Sequence, residues 1–270
     1  MKTIGIIDYY VSEWHAYKYY SILEDCARAV GEEFKIAYAY GELDVSLYDG
    51  LTTAEWCEKH GAVKCDSIDE LCEKSDYIMI LAPSNPETHL RLAAAALKHG
   101  KNTFIDKTFA PDYATAKQIY DIADSYGTKI FSSSALRYST ELEGLSGAKS
   151  YAITGGGGNL PEYIIHQAEM LIKLVGCSHS NISAERDGEK YVISVEFPNS
   201  VKATMSYEKF FTYSVAVDGG EVVEMKSPYF NALITDALRF FLTGEPSFSR
   251  DETLAVAKLR EDAIKCAEAL

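Results

Sequence analysis

Along the first half of the chain, short apolar runs alternate with longer stretches whose apolar residues return every three or four positions. The apolar runs stand at Lys2–Asp8, Phe34–Tyr40, Tyr77–Ala82, Asn102–Asp106 and Lys129–Ser133, as expected of strands buried on both faces. In "HLRLAAAALKHG", Leu90, Ala93, Ala94 and Leu97 follow the spacing of one buried helix face, and Gly100 supplies a stop. In "APDYATAKQIYDIADSYG", Pro111 suits a first helical turn, Ala116, Ile119, Tyr120 and Ala123 repeat the spacing, and Gly127 ends it. Ser67 and Glu70 of "SIDE" have the form of a capping box. Strands joined by helices in this way predict an α/β domain with a doubly wound parallel sheet covered on both faces.

After about Ser146 the rhythm changes. The run "GGGG" at 155–158 precedes one helix, Pro161 to Val175, and reads as a flexible link; it lacks the pattern and the following lysine of a phosphate loop. Short alternating strands follow in "KYVISVEF", "SVKATMSY" and "YSVAVDGGEVVEM", with tight turns at Pro198–Asn199 and Gly219–Gly220. A helical tail from about Asn231 to Leu270 is interrupted by "TGEPSFS". The pattern predicts two domains. Residues 1–146 form the parallel sheet, and residues 147–270 form a smaller α+β domain with a mainly antiparallel sheet, whose tail could pack back on the first.

Charge narrows the choice of ligand. Lys plus Arg number 26 against 40 Asp plus Glu, a formal net charge of −14, which repels nucleic acid and anionic membrane. A small-molecule substrate remains, either neutral or cationic, or an anion held by a local basic patch. The six cysteines (Cys26, Cys57, Cys65, Cys72, Cys177, Cys266) form no C-x-x-C pair and lack zinc-ligand spacing with histidine, so buried reduced thiols are expected. No apolar stretch approaches the roughly 18 residues of a spanning helix. The first residues run straight into a strand, without a basic segment and apolar signal core. A cytoplasmic protein is expected.

The turn after the first strand raises a question of chemistry. A dinucleotide site normally places glycines there, so that backbone amides can approach a pyrophosphate. This turn reads Asp8, Tyr9, Tyr10, Val11, Ser12, Glu13. A non-glycine residue forced to positive φ is penalised by about 1 kcal/mol or more. Tyr10 occupies space that a pyrophosphate would need, and Asp8 and Glu13 set negative charge against a dianion. Ser12 can cap the following helix. The fold is expected to survive and the usual pyrophosphate mode to be impaired.

Four stretches, in order, resemble the glucose–fructose oxidoreductase and inositol dehydrogenase family (Gfo/Idh/MocA). "DYIMILAPSNPETHLRLAAAALKHGKNTFIDKTFAPDYATAKQI" (76–119) is similar to the central segment of that family. Ala82-Pro83 and His89 stand at its Thr-Pro and histidine positions, Gly100-Lys101 at Gly-Lys-His, and Asp106-Lys107-Thr108 at Glu-Lys-Pro. Arg137 and Tyr138 of "ALRYS" take the places of its Arg-Phe segment. In "GNLPEYIIHQAEMLIKLVG", Glu162, Ile164, His166 and Glu169 fall on Asp-x-Gly-x-His-x-x-Asp, and "DALRFFLTGEPSFSRDETLAVAKLREDAIKCAEAL" resembles the closing segment. Members are usually longer, so the second domain is expected to be trimmed. The acidic residue that would hold ribose hydroxyls is not obvious; Tyr40 sits about there and Glu42 just beyond.

The resemblance implies a Rossmann-like first domain and NAD or NADP as cofactor. It would lie against Tyr10 and Val11 at the first turn and Pro83, Ser84, Asn85 and His89 after the fourth strand. Asp106 and Lys107 would meet it after the fifth. Lys107, at the carboxyl edge of the sheet, could hydrogen-bond a substrate hydroxyl and ease its deprotonation; a surface lysine paired with a neighbour is the plainer alternative. His166 has Glu162 one turn before it and Glu169 nearly one turn after, so either carboxylate could reach the imidazole and prepare it to shuttle a proton. Lys107, His166 and Glu162 are the catalytic candidates, and Arg137, Tyr138 and His166 the substrate contacts. Arg137 could equally be a structural ion pair, and His89 is expected to cap or pack. No metal site is expected, since one helix supplies few ligands. Two functions compete: an NAD(P)-dependent oxidoreductase of a small polyol, sugar or related hydroxy compound, and a non-catalytic relative that has lost the nucleotide and binds a small molecule or partner protein. Relatives associate through an open sheet face, so a homodimer or homotetramer is expected.

Overall fold

The computed structural model describes residues 1–270, and the apolar runs of the first half become strands. β1 (Lys2–Asp8) buries Ile4, Ile6 and Ile7 completely. Gly5 lies where α3 (Ile68–Lys74) crosses the strand; an added Cβ would stand 2.4 Å from a Leu71 methyl carbon and from Ser75 Oγ. With β2 (Phe34–Gly41), β3 (Val63–Lys64), β4 (Tyr77–Ile80), β5 (Thr103–Ile105) and β6 (Ile130–Phe131), β1 forms a six-stranded sheet. Its order is β3-β2-β1-β4-β5-β6 and every pair is parallel. This is the doubly wound Rossmann arrangement. The order reverses between β1 and β4, where such sheets seat their ligands. β3 has only two residues, both exposed, and so carries no apolar signal.

The connecting helices are α1 (Trp14–Val30), α2 (Thr53–His60), α3, α4 (His89–Leu97) and α5 (Tyr113–Tyr126). α5 buries Ala116, Ile119, Tyr120 and Ala123, as their spacing predicts. α4 is turned slightly from its predicted face. It buries His89, Leu92, Ala93, Ala96 and Leu97 and leaves Leu90 and Ala94 half-buried, because the His89 ring points inward to two backbone carbonyls. Only half of the Ser67 capping box forms: Ser67 Oγ accepts from Glu70 N, while Glu70 accepts from Asp66 N.

The chain divides into two units, residues 1–110, 114–132 and 231–247 in the first, and residues 111–113, 133–230 and 248–270 in the second. The expected boundary at 146 moves to 132 because Leu136 and Leu142 join the core of the second unit. The helical tail is shared. Most of α7 (Tyr229–Thr243) belongs to the first unit, where Phe241 stacks on Tyr77 (centroids 4.9 Å apart) and Phe240 meets Phe131 (5.5 Å). α8 (Arg250–Glu268) belongs to the second.

The second unit holds β7 (Ser150–Gly155), β8 (Asn181–Asp187), β9 (Lys190–Glu196), β10 (Lys202–Tyr207), β11 (Ser214–Val217) and β12 (Val223–Glu224) in the order β12-β11-β7-β10-β9-β8. All pairs are antiparallel except β7 with β10. Ile153, Ile193, Met205 and Val215 project from one face and pack with Ile164, Ala168 and Leu171 of α6 (Leu160–Val175) and Leu259 of α8. On the other face Ala152, Ser194, Thr204 and Ala216 line a trough of about 490 Å³. No helix is long and apolar enough to cross a membrane. All six cysteines are free thiols, and burial pushes Cys72 up to about 12.

Candidate functional site

β1, β4 and β5 are neighbours in the sheet, and the residues at their carboxyl ends carry the candidate cofactor groups. Asp8, the last residue of β1, is 1% exposed. Its Oδ1 accepts from Tyr9 N (2.7 Å) and Ala82 N (3.0 Å), while Oδ2 is buried without a partner. Burial, followed by the charge of Glu13, holds this carboxyl well above the ordinary carboxylate range. A carboxyl whose pKa is raised by folding contributes stability below its unfolded pKa, and that contribution is lost as pH rises through the folded value. Asp8→Asn keeps an acceptor for the two amides and cannot ionise. Its melting temperature is expected to gain on wild type between about pH 5 and about pH 8; a pH-independent difference would contradict this assignment.

Glu13, and not Ser12, caps α1. Glu13 is extended (φ −145, ψ 171), and its carboxylate accepts from His15 N (Oε2, 2.8 Å) and Ala16 N (Oε1, 2.6 Å). The Ser12 hydroxyl is drawn away by the Asp49 carboxylate (2.7 Å) and pairs with Tyr17 OH (2.7 Å). Burial pushes the Glu13 carboxyl up, against the charge of His15 and the two backbone N–H groups. One helical turn apart on α1, His15 and Tyr19 converge on Asp106 beyond β5. Asp106 Oδ2 lies 2.5 Å from His15 Nδ1, and Oδ1 accepts from Tyr19 OH (2.9 Å) and Lys107 N (2.8 Å). Asp106 is therefore a buried hub, joined by His15 and Tyr19. The available signal was their i, i+4 spacing, without any hint of a partner so far along the chain.

Lys107 is 6% exposed and donates from Nζ to Pro83 O (3.2 Å). It is not a solvated surface lysine. Pro83 is buried, Ser84 exposed, and Tyr10 and Asn85 half-buried. Val11 is 1% exposed, so its side chain belongs to the core and only its backbone, which accepts from Glu13 N (2.9 Å), lies at the turn. His89 is completely buried, with Nε2 2.7 Å from Leu81 O and Nδ1 3.1 Å from Phe109 O, and burial pulls its pKa down. It packs, as expected. Glu42, beyond β2, is gripped by Arg91 through Nε (2.8 Å) and a terminal nitrogen (2.5 Å).

These groups fit a dinucleotide on one condition. The N–H donors at the start of α1 that suit a pyrophosphate are those of His15 and Ala16, and the Glu13 carboxylate holds them. The fit requires Glu13 to release them. The Lys107 ammonium and the Pro83 carbonyl set a donor beside an acceptor, a pair suited to a carboxamide and a substrate oxygen.

In the second unit, His166 projects from α6 and is half-buried. Its Nδ1 lies 2.6 Å from Ser134 Oγ, and the rings of Tyr163 and Tyr213 flank it at 5.9 and 5.5 Å. Asn159 Nδ2 donates to Glu162 in the first turn of α6 (3.2 Å). Glu169, expected as an alternative partner of His166, accepts instead from Ser134 N (3.0 Å) and Arg137 (3.3 Å). Arg137 is 6% exposed, also pairs with Glu252, and stacks on Phe248 at 3.7 Å. Its guanidinium is committed to structure rather than held out for a substrate anion. Tyr138 follows in the same short 3₁₀ turn and is half-buried. The glycines at 155–158 are not a loose link. Tyr213 OH donates to Gly156 O (2.8 Å), Tyr207 OH to Gly157 O (2.9 Å), and a Cβ on Gly157 would lie 2.0 Å from the Tyr163 ring.

Residues 31–134 match the family GFO_IDH_MocA, described as "Oxidoreductase family, NAD-binding Rossmann fold". The uncharacterized oxidoreductase YhhX of Escherichia coli (strain K12) is 30% identical over 63 residues, 23% of this chain. That stretch spans only 18% of YhhX. Among solved structures, UDP-N-acetylglucosamine 3-dehydrogenase GnnA from Acidithiobacillus ferrooxidans superposes with a TM-score of 0.74 at 16% identity, covering 100% of this chain and 97% of that one. Biliverdin reductase from Synechocystis sp. PCC 6803, in complex with biliverdin and NADP+, gives 0.68 at 16% identity, covering 99% and 98%. At such identities the likeness is one of fold.

Proposed function

We propose, from a chain whose Rossmann unit belongs to the Gfo/Idh/MocA oxidoreductase family, that this protein is an NAD(P)-dependent oxidoreductase acting on a small polyol, sugar or related hydroxy compound. The observation that carries the reading is Lys107, a lysine 6% exposed at the carboxyl edge of the parallel sheet. When bound, the nicotinamide supplies a hydride acceptor or donor. Lys107, anchored to Pro83 O and adjoining the Asp106 hub, donates to the substrate oxygen and stabilises the charge that develops there. His166, whose Nδ1 lies 2.6 Å from Ser134 Oγ, is the candidate proton acceptor of the second unit. Glu162, in the first turn of α6, favours the charged imidazole that results. Pro83, Ser84, Asn85 and Lys107 would hold the nicotinamide end, and the backbone around Tyr10 and Val11 the phosphate end.

One observation favours the second reading, a relative that has lost the nucleotide: the Glu13 carboxylate already holds the α1 amides. The test is a panel of sugars, polyols and small hydroxy acids, each offered with NAD+ and with NADP+ and scored by reduced nicotinamide. Turnover of at least one polyhydroxy compound is expected. No turnover of any of them by correctly folded protein would reject the reading. A homodimer or homotetramer through the uncovered face of the second sheet belongs to the same proposal, and a monomer in sedimentation velocity would remove that part.

A further inference from the structure

In a Rossmann unit the start of the first helix ordinarily offers its N–H groups to an anion arriving from outside. Here the anion is part of the chain. Glu13 is 6% exposed and bonds both His15 N and Ala16 N with its two carboxylate oxygens. A pyrophosphate presents oxygens of the same kind to the same donors, so the two ligands exclude each other. Glu13 also stands among acids. Asp106 raises the cost of its charge, its own charge raises that of Asp8, and Oδ2 of Asp8 is buried without any partner. The closed arrangement is therefore held by two charge-assisted hydrogen bonds and by the charge of His15, and opposed by desolvation and by like charge, a balance that a dianion with its own attraction to the helix start can tip.

We propose, on the oxidoreductase reading above, that Glu13 is a built-in competitor of the dinucleotide: its carboxylate occupies the pyrophosphate position, leaves it when the cofactor binds, and thereby sets the affinity of the site. Glycine at this position would leave the amides open. Glutamate makes every binding event a displacement. His15 and Tyr19, tied to Asp106, keep the first turn of α1 in place while Glu13 moves.

Calorimetric titration of the full chain with NADH and with NADPH, as wild type, Glu13→Gly and Glu13→Gln, tests this. Glycine is an acceptable N-cap, and far-UV circular dichroism with a thermal melt checks the fold; should the glycine variant fail to fold, the glutamine variant carries the comparison. Glu13→Gly is expected to bind at least tenfold more tightly than wild type. Glu13→Gln should fall between, because its amide oxygen still accepts an N–H but bears no charge. Equal affinity in all three proteins overturns the inference and leaves the oxidoreductase reading standing. Weaker binding by the variants also overturns it, since Glu13 would then support the cofactor. Binding by the variants and none by wild type upholds the inference and removes the reading for the natural chain. No binding by any folded protein overturns both.

Discussion

Lys107→Ala is expected to lower kcat by about 10²–10⁴-fold, while the Kd for reduced cofactor stays within a few-fold of wild type. Lys107 is 6% exposed, in surroundings where charge stabilisation is worth far more than in water. Its loss should fall on the transition state, where the substrate oxygen gains charge, and much less on ground-state binding. Lys107→Met, which keeps most of the apolar stem, should behave the same and excludes a packing explanation. Arginine should not restore the rate, because a planar guanidinium cannot take the compact ammonium's place beside Pro83 O. Steady-state kinetics on the best substrate of the panel, with calorimetry for the cofactor, reads both quantities. Undiminished turnover would reject the role given to Lys107.

The largest effect on stability is expected from Arg137→Ala. Arg137 bridges Glu169, 4% exposed, and Glu252, and its guanidinium lies on the Phe248 ring. Truncation leaves Glu169 buried with only the Ser134 amide, the situation in which breaking a buried pair costs about 3–5 kcal/mol. Burial already pushes the Glu169 carboxyl up, with Arg137 the first group opposing it. Without Arg137 that pKa rises further, so the penalty should shrink as pH falls and Glu169 protonates. Arg137→Lys should recover only part of the loss, since a point charge does not span two carboxylates. Urea unfolding at about pH 7 and about pH 5 measures this. A loss below about 1 kcal/mol, the range of an exposed pair, would contradict the structural role and return Arg137 to the substrate.

The residue pattern foretells most of the fold because burial in a doubly wound sheet is written in consecutive apolar residues. β1 was legible for that reason, and the Ala116–Ile119–Tyr120–Ala123 face of α5 from its helical spacing. β8, with the pattern Asn-Ile-Ser-Ala-Glu-Arg-Asp and mostly exposed residues, was not. For the candidate site, the resemblance supplied positions at Lys107 and His166. Partners were harder. His166 meets Ser134 from 32 residues away, and His15 meets Asp106 from 91, pairings that no local spacing encodes. Glu13 was visible as an acid in a turn that wants glycine. That it would fold back onto the helix amides depended on Ser12 being drawn off by Asp49, a tertiary fact.

Nicotinamide binding by the wild-type chain tests the central claim most directly. Titration with NADH and NADPH, followed by nicotinamide fluorescence at fixed pH and ionic strength, is expected to show saturable one-site binding of at least one cofactor at millimolar concentration or below. A linear, unsaturated response to both, from protein shown to be folded, would contradict it.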